Sequence, residues 1–237
     1  MTAGIVICGT TVVVAAGVAL AYAVRGRSAA LFGPSVYRGD RGRRSMALTF
    51  DDGPSESTPA LLELLARCNV RATFFLCGAN VERLPQIAQA VVAAGHEIGN
   101  HSDTHPRFDF CSEEFIYREL AEAQRKIAQV TGVTPKLFRA PYGVRWFGMK
   151  AAQKRLDLLG VMWTVMGCDW KLPASEIVQR IATGADNGGI ICLHDGRGVQ
   201  ADPNVQEMLR AVEQVVPRLR QAGFSFETVS EILRATR

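Results

Sequence analysis

The stretch TFDDGP, residues 49–54, follows a short apolar run and places two acidic side chains directly after a predicted strand, Met46 to Phe50. Glycine and proline hold such a stretch in a tight turn, so Asp51 and Asp52 can point in different directions. One aspartate can then bind a metal ion while the other accepts a proton. An ordinary solvated turn has the same composition, so the rest of the chain must decide between the two interpretations.

The chain after residue 45 alternates short apolar runs with amphipathic stretches whose apolar residues recur every three or four positions. Strands that alternate with helices predict parallel pairing, and such a chain can close as a (β/α) barrel. Functional residues of these barrels lie at the C-terminal ends of the strands and in the loops that follow. The predicted strands are Met46 to Phe50, Ala72 to Leu76, Glu97 to Gly99, Leu137 to Arg139, Val161 to Val165, Gly189 to Leu193 and Phe224 to Thr228.

Three of the four histidines fall at or after the ends of these strands. His101 and His105 are four residues apart, so a helical segment would direct both imidazoles to one ion, although surface or capping histidines show the same spacing. Together with an aspartate they supply two nitrogens and one oxygen, a set that leaves open positions on zinc or a similar divalent ion. His194 ends an apolar strand at the same rim, which favours general acid chemistry over a core position.

Two further charged residues lie in apolar surroundings and should therefore have partners. Arg139 ends an apolar strand, where an unpaired guanidinium would be costly, and we expect it to pair with Asp51. Asp169 stands beside Trp170, and His194 is its expected partner by the logic of catalytic Asp and His pairs. Trp170 on its own is also compatible with a place in the core.

Length and composition predict one sizeable domain, because 237 residues with 48% hydrophobic side chains suffice for a single buried core. Five of the six cysteines follow residue 45, and they show no CxxC spacing. An odd number in mostly apolar contexts favours free thiols and a reducing compartment. A bond between Cys68 and Cys77 remains open, although a core of this size does not require one.

An uncharged run of twenty residues, Ile5 to Val24, is long enough to cross a bilayer as a helix. We expect residues 1–24 to be a transmembrane segment or signal anchor. Ala21 to Ala23 has the small-x-small form of a signal peptidase site, so a cleaved signal peptide and secretion are the alternative.

Residues 25–44 carry six arginines and one aspartate and are predicted to be a basic juxtamembrane linker. The whole chain has a net charge of +4, so the remainder is nearly neutral and nucleic acid binding is not implied. This placement favours a cytoplasmic domain, and the linker could lie on anionic lipid. Nothing in the sequence indicates a protein partner.

Five stretches in this order closely resemble the polysaccharide deacetylase family, the NodB homology domain of carbohydrate esterase family 4. The resemblance covers about Ser45 to the C-terminus, and it implies that residues 45–237 form a NodB-like distorted (β/α) barrel of seven or eight strands. The stretches are TFDDGP, HSDTH at residues 101–105, RAPYG at residues 139–143, Asp169-Trp170 and Leu193-His194.

The resemblance also implies a role for each matched residue. Asp51 would be the general base and His194 the general acid, with Arg139 orienting Asp51 and Asp169 orienting His194. The remaining assignments are Asp52, His101 and His105 as ligands of one divalent metal, the backbone N–H of Tyr142 as an oxyanion donor, and Pro141, Trp170 and Leu193 as the residues that shape the groove. One departure is Met166, where the family often has a further aspartate.

We therefore expect a metal-dependent hydrolase that removes N-acetyl groups from N-acetylhexosamine units of a chitooligosaccharide or peptidoglycan type glycan. Zinc is the expected metal, with cobalt or another transition metal as the alternative. The acetylated carbohydrate is the expected partner, besides the membrane. The other functions compatible with the sequence are deacylation of a lipid-linked or small cytoplasmic N-acyl substrate, and a catalytically silent carbohydrate-binding protein on the same fold.

Overall fold

One parallel sheet organises the part of the chain that the computed structural model describes, residues 15–234. The strands run side by side in the order β1-β6-β5-β4-β3-β2-β8-β7, and β9 pairs with the first residues of β2. All of these strand pairs are parallel. The strands are β1 (Ser35–Val36), β2 (Ser45–Gly53), β3 (Thr73–Leu76), β4 (Glu97–Asn100), β5 (Leu137–Phe138), β6 (Leu159–Val161), β7 (Val165–Met166), β8 (Gly189–His194) and β9 (Ser225–Phe226).

Helices fill most of the connections between the strands, as parallel pairing requires. Residues 15–25 are helical and are called α1. The other helices are α2 (Thr58–Arg67), α3 (Gly78–Arg83), α4 (Pro85–Ala93), α5 (Glu113–Thr131), α6 (Met149–Leu156), α7 (Ala174–Gly184), α8 (Gln206–Gln221) and α9 (Val229–Ile232), with a 3₁₀ turn at Pro141–Gly143.

The sheet curls into a half-barrel in which β2 lies between β3 and β8. The predicted parallel α/β architecture is confirmed, whereas the predicted barrel does not close in the described residues. β1 and β7 stand at the two ends of the strand order. The strands β1, β5, β6 and β7 are two or three residues long, which leaves few ladder hydrogen bonds towards both ends of the sheet.

The side chains of β2 alternate between two cores, and this alternation orients the site. Met46, Leu48 and Phe50 point outward into the large cluster beneath α2, α7 and α8. Ala47 points to the inside of the curl. Because successive side chains of a strand face opposite ways, Asp51 also faces the inside of the curl, at the C-terminal end of the strand.

The described N-terminal residues bear on two of the expectations. Residues 5–14 of the predicted membrane segment lie outside the described residues, and between residues 15 and 234 no helix has the length and apolar character needed to cross a membrane. Part of the predicted linker is folded onto the domain, since β1 pairs with β6 and Arg43 contacts Glu227 at 2.6 Å. All five cysteines that follow residue 45 are free, so a Cys68–Cys77 disulfide is absent there.

Candidate active site

Asp51 and His194 lie side by side at the C-terminal ends of two neighbouring strands, because β2 and β8 pair in register with Asp51 opposite His194. Asp51 is 3% exposed. Its Oδ1 accepts a hydrogen bond from Arg139 Nη1 at 2.6 Å, and its Oδ2 accepts one from Cys192 Sγ at 3.4 Å. The carboxylate is therefore held from two sides with one face left towards the cavity.

Arg139 is fully buried and its guanidinium is tied to three different strands or loops. Nη1 also donates to Thr49 Oγ1 at 2.7 Å, and Nε donates to the carbonyl oxygen of Val161 at 3.1 Å. The ring of Phe75 lies 4.2 Å from the guanidinium carbon. These contacts compensate the desolvation of the charge, and they fix the position of the Asp51 carboxylate.

His194 is oriented by Asp169, as the sequence predicts. His194 Nδ1 donates to Asp169 Oδ1 at 2.9 Å, and the His194 backbone N–H donates to Asp169 Oδ2 at 3.2 Å. Burial by itself would lower the pKa of His194, but the bond to Asp169 and the nearby carboxylates raise that pKa to about 9. Nε2 is therefore a protonated donor at neutral pH, and the Trp170 ring packs edge-on against the imidazole at 5.2 Å.

Asp52, His101 and His105 converge on one point at the rim of the same cavity. Asp52 Oδ1 is 3.2 Å from His101 Nε2 and 3.0 Å from His105 Nε2. The second oxygen, Asp52 Oδ2, accepts from the backbone N–H of Gly198 at 2.9 Å. The two histidines do not share a helix, since residues 101–105 form a loop, so the loop and not helical periodicity brings them together.

These three residues fit a divalent metal ion. His101 Nδ1 donates to the carbonyl oxygen of Arg139 at 2.7 Å, which assigns the proton to Nδ1 and directs the Nε2 lone pair at Asp52. Asp52 Oδ1 is buried and accepts no hydrogen bond from the described residues. Tetrahedral bonds of about 2.1 Å separate ligand atoms by about 3.4 Å, close to the separations found here. A cation between Asp52 Oδ1 and the two Nε2 atoms would accept these lone pairs.

Three residues around this point have a left-handed backbone although none is glycine. The φ angles are 71° for Asp52, 60° for His105 and 57° for Tyr142. Such conformations cost on the order of 1–3 kcal/mol each and persist where surrounding contacts hold them, often at functional sites. The Tyr142 ring lies against His105 with 4.7 Å between centroids. These strained conformations lower the stability of the chain locally and set the positions of the three side chains.

The cavity at this rim has a volume of about 530 Å³. It brings together most of the residues that the sequence singles out, and its lining residues are Arg25, Asp51, Asp52, His101, His105, Ala140, Tyr142, Gly143, Trp163, Met166, Trp170, His194, Arg197 and Gly198. Arg139 and Asp169 lie behind the lining and act on it through Asp51 and His194. Pro141 is buried next to the lining but is not part of it.

Leu193 does not face the cavity. It is fully buried in the outer cluster between the sheet and the helices. Its neighbour Cys192 points inward and reaches Asp51, because side chains alternate along β8. Burial and the nearby Asp51 raise the pKa of Cys192 well above its usual range, so the group is a neutral thiol that donates to the carboxylate.

Three residues that the sequence analysis did not single out also belong to the site. Asp195 is fully buried beneath the turn after β2, where its Oδ2 accepts from Thr58 Oγ1 at 2.5 Å. Its place directly after His194 was a usable signal. Arg197 and Arg25 line the cavity. No sequence pattern distinguishes them from the other arginines, because the fold alone brings them there.

The chain is similar to proteins of one family. The family model described as polysaccharide deacetylase matches residues 38–161. A chitooligosaccharide deacetylase of Bradyrhizobium sp. is 33% identical over 200 residues, which are 81% of this chain and 91% of the relative. A peptidoglycan-N-acetylglucosamine deacetylase of Bacillus cereus is 34% identical over 193 residues, 80% of this chain and 88% of the relative.

A solved structure shows the same fold. The crystal structure of the Bc1960 peptidoglycan N-acetylglucosamine deacetylase superposes with a TM-score of 0.79 and 29% sequence identity. The match covers 84% of this chain and 92% of that one. Sequence, fold and the Asp and His clusters agree, and the chain belongs to the polysaccharide deacetylase family as one of its enzymes.

Proposed function

We propose that the protein removes N-acetyl groups from N-acetylhexosamine units of a glycan, by hydrolysis that depends on one divalent metal ion, with zinc as the resident ion. The names of the similar proteins support chitooligosaccharides and peptidoglycan as the substrate class. The single observation that carries the proposal is that a candidate acid–base pair and a candidate metal-binding cluster line the same cavity. Asp51 with Arg139 lies beside His194 with Asp169, and Asp52 stands between two imidazoles.

Asp52, His101 and His105 would hold the metal ion through one oxygen and two nitrogens. When bound, such an ion lowers the pKa of a water molecule and polarises the acetyl carbonyl group. Asp52 would be fixed for this role by Gly198, and His101 by the carbonyl oxygen of Arg139.

Asp51 would act as the general base. The carboxylate would accept a proton from the attacking water, whose oxygen adds to the acetyl carbon. The hydrogen bonds from Arg139 and Cys192 keep the carboxylate in place while leaving it open to the cavity.

His194 would act as the general acid. With its pKa raised to about 9, it carries a proton at neutral pH and would give this proton to the sugar nitrogen as the carbon–nitrogen bond breaks. The products are acetate and the free amine. The backbone N–H of Tyr142 would donate to the developing oxyanion, while Pro141, Trp170 and Leu193 would shape the groove, Leu193 only from behind the sheet.

The proposal is tested by acetate release from N-acetylglucosamine oligomers and from peptidoglycan fragments, with the full chain as enzyme. We expect release that a chelator abolishes and that added zinc restores. Asp51→Asn should lower kcat by roughly 10²–10⁴-fold, the contribution of a positioned base. Asp157→Asn is the matched control, because Asp157 is an exposed aspartate paired with Lys136.

Zinc-bound, folded protein that releases no acetate from either substrate would contradict the proposal and favour a silent carbohydrate-binding protein. Release that is unchanged in Asp51→Asn would contradict the base assignment alone. Folding of the variant is checked by its thermal unfolding midpoint.

We also propose that residues 1–24 are a membrane or signal segment and that residues 45–237 form the catalytic domain. The uncharged run from Ile5 to Val24 and the arginines that follow it support the first assignment. A reporter fused to the C-terminus and active only outside the cytoplasm tests the orientation, because its activity would contradict an inward-facing domain.

A further inference from the structure

We propose that Arg25 determines substrate specificity, by binding an anionic group, a carboxylate or a phosphate, on the acetylated glycan. The inference rests on the proposed function and narrows its substrate class. Arg25 lies at the end of α1, outside residues 38–161 that match the family model. It nevertheless lines the same cavity as Asp51, Asp52 and His194.

The segment around Arg25 is fixed to the domain by buried contacts. The backbone N–H of Arg145 donates to the carbonyl oxygen of Val24 at 3.1 Å. The Arg145 guanidinium, which is nearly fully buried, donates to the carbonyl oxygens of Gly26 at 2.5 Å and of Ala29. Arg27 Nη1 reaches the carbonyl oxygen of Thr164 at 2.6 Å. Arg25 is therefore held in place on both sides at the cavity wall.

Asp51, His194 and Arg197 also line the cavity, and each has a partner of opposite charge within the protein. Asp51 pairs with Arg139, and Asp169 pairs with His194 and, at 3.5 Å, with Arg197. Arg107 and, to a smaller extent, Arg25 lower the pKa of Asp109. The two oxygens of the Asp109 carboxylate are bound by Arg107, at 3.1 and 2.7 Å.

Arg25 itself is exposed, and within residues 15–234 its side chain takes part in no hydrogen bond or ion pair. It is thus a cation at the cavity wall whose charge is not used to hold the fold. Exposed arginines are common on protein surfaces, but this one lines the cavity that a substrate would enter.

A guanidinium matches carboxylate and phosphate by two parallel hydrogen bonds and gains less from neutral hydroxyl or amide groups. A neutral chitin-type oligomer offers nothing that Arg25 would prefer to water. A glycan that carries carboxylates, as peptidoglycan does on its peptide stems, or a phosphate-bearing glycan offers a partner. Tyr142 and Trp170, both about half exposed in the same wall, would pack against the sugar rings between this anion and the acetyl group.

The test compares acetate release from oligomers of equal length that are neutral, carboxylated or phosphorylated on a sugar next to the N-acetylglucosamine unit. The variants are Arg25→Gln and the control Arg41→Gln, which removes the same charge from an exposed position of the same basic segment away from the cavity. We expect Arg25→Gln to raise KM for an anionic oligomer roughly three- to tenfold with kcat unchanged.

Arg25→Gln should lose more activity on the anionic oligomer than on the neutral one, and Arg41→Gln should behave like the original protein on all oligomers. High salt should remove the preference for the anionic oligomer, because the contact is exposed. The arm that responds more strongly, carboxylate or phosphate, identifies the source of the anion.

An equal loss on neutral and anionic oligomers, or no preference in the original protein, would overturn the inference and leave the deacetylase proposal intact. Binding by calorimetry in the Asp51→Asn background separates the two proposals. If no oligomer is cleaved, tighter binding of the anionic oligomer that Arg25→Gln abolishes still supports the anion site, and equal binding overturns it.

Discussion

Asp51 and His194 are direct neighbours across the parallel pair β2 and β8, and each has its own buried partner of opposite charge. Arg139 donates a hydrogen bond to the Asp51 carboxylate, and Asp169 holds His194 as a protonated imidazole. The proposed base and the proposed acid thus stand side by side. Separate partners prevent the two from simply neutralising each other.

This arrangement predicts the alkaline limit of the activity. His194 has its pKa raised to about 9, so it is protonated below that pH, and kcat/KM should fall as pH rises through about 9. Asp169→Asn removes the group that raises the pKa, so the fall should move to lower pH and kcat should drop roughly 10²–10⁴-fold. Rate profiles of both proteins measure this, with Asp186→Asn as an exposed control. An unchanged alkaline limit in Asp169→Asn would rule out His194 as the acid.

Metal binding should depend on His105 and not on His96. His105→Ala removes one of three ligands, and we expect zinc affinity to fall more than the roughly 10–100-fold that loss of an outer-shell partner costs. His96→Gln is the matched control, because burial and Arg71 lower the pKa of His96 to about 4 and its Nδ1 only accepts from the Ala72 N–H. Zinc competition with a chelator measures both variants independently of activity. Equal affinity in the two would refute the ligand set.

Gly53 and Asp195 should be coupled in stability. A Cβ at residue 53 would lie 2.5 Å from Asp195 Oδ2, so Gly53→Ala should lower the free energy of unfolding by about 1–3 kcal/mol. Asp195→Ala loses the bond to Thr58 but vacates that space. The double variant should therefore lose less than the sum, by about 0.5–3 kcal/mol. Urea unfolding of the full cycle measures this, with Gly42→Ala in an exposed turn as control. Strict additivity would contradict the contact.

Arg145 should hold residues 24–35 on the domain. Arg145→Met removes the donors to Gly26, Ala29 and Ser35, and we expect trypsin to cut after Arg25 or Arg27 at least several-fold faster than in the original protein. Mass spectrometry of timed digests identifies the sites. Arg155→Met, at an exposed arginine of α6, should leave the rate unchanged. The same rate in both variants would show that other contacts fix the segment.

The inward face of β2 follows from the alternation of side chains along a strand with a period of two residues. The same rule explains the placement of Leu193, since an inward residue at 194 leaves 192 inward and 193 outward. A motif match assigns a role to a residue, whereas the alternation along the strand determines which side of the sheet the residue faces. Cys192, which carries no role in the sequence analysis, therefore contacts Asp51 instead.

Two local breaks were harder to predict. The amphipathic stretch between β3 and β4 forms two helices, α3 and α4, because Leu84 leaves the helical region before Pro85 starts α4. The strand predicted from Val161 to Val165 divides into the ends of β6 and β7. Proline gives a visible signal for the first break. The second depends on tertiary pairing with two different neighbours, which no local pattern encodes.

The contacts of residues 25–44 were the least predictable. Six arginines in twenty residues resemble a solvated linker, whereas the pairing of β1 with β6 and the buried Arg145 bring this segment to the cavity. Both contacts join residues more than a hundred positions apart. Composition gives the charge of a segment, but it does not show which distant part of the domain the segment packs against.

Arg139 has one further consequence. Its side chain binds Asp51, and its carbonyl oxygen accepts from His101, so the proposed base and a proposed metal ligand take their positions from the same residue. Any movement of the end of β5 shifts both together. Substitutions of His105 or Asp52 should therefore change metal preference without moving the proposed base. Variants near residue 139 should change metal preference and proton transfer together.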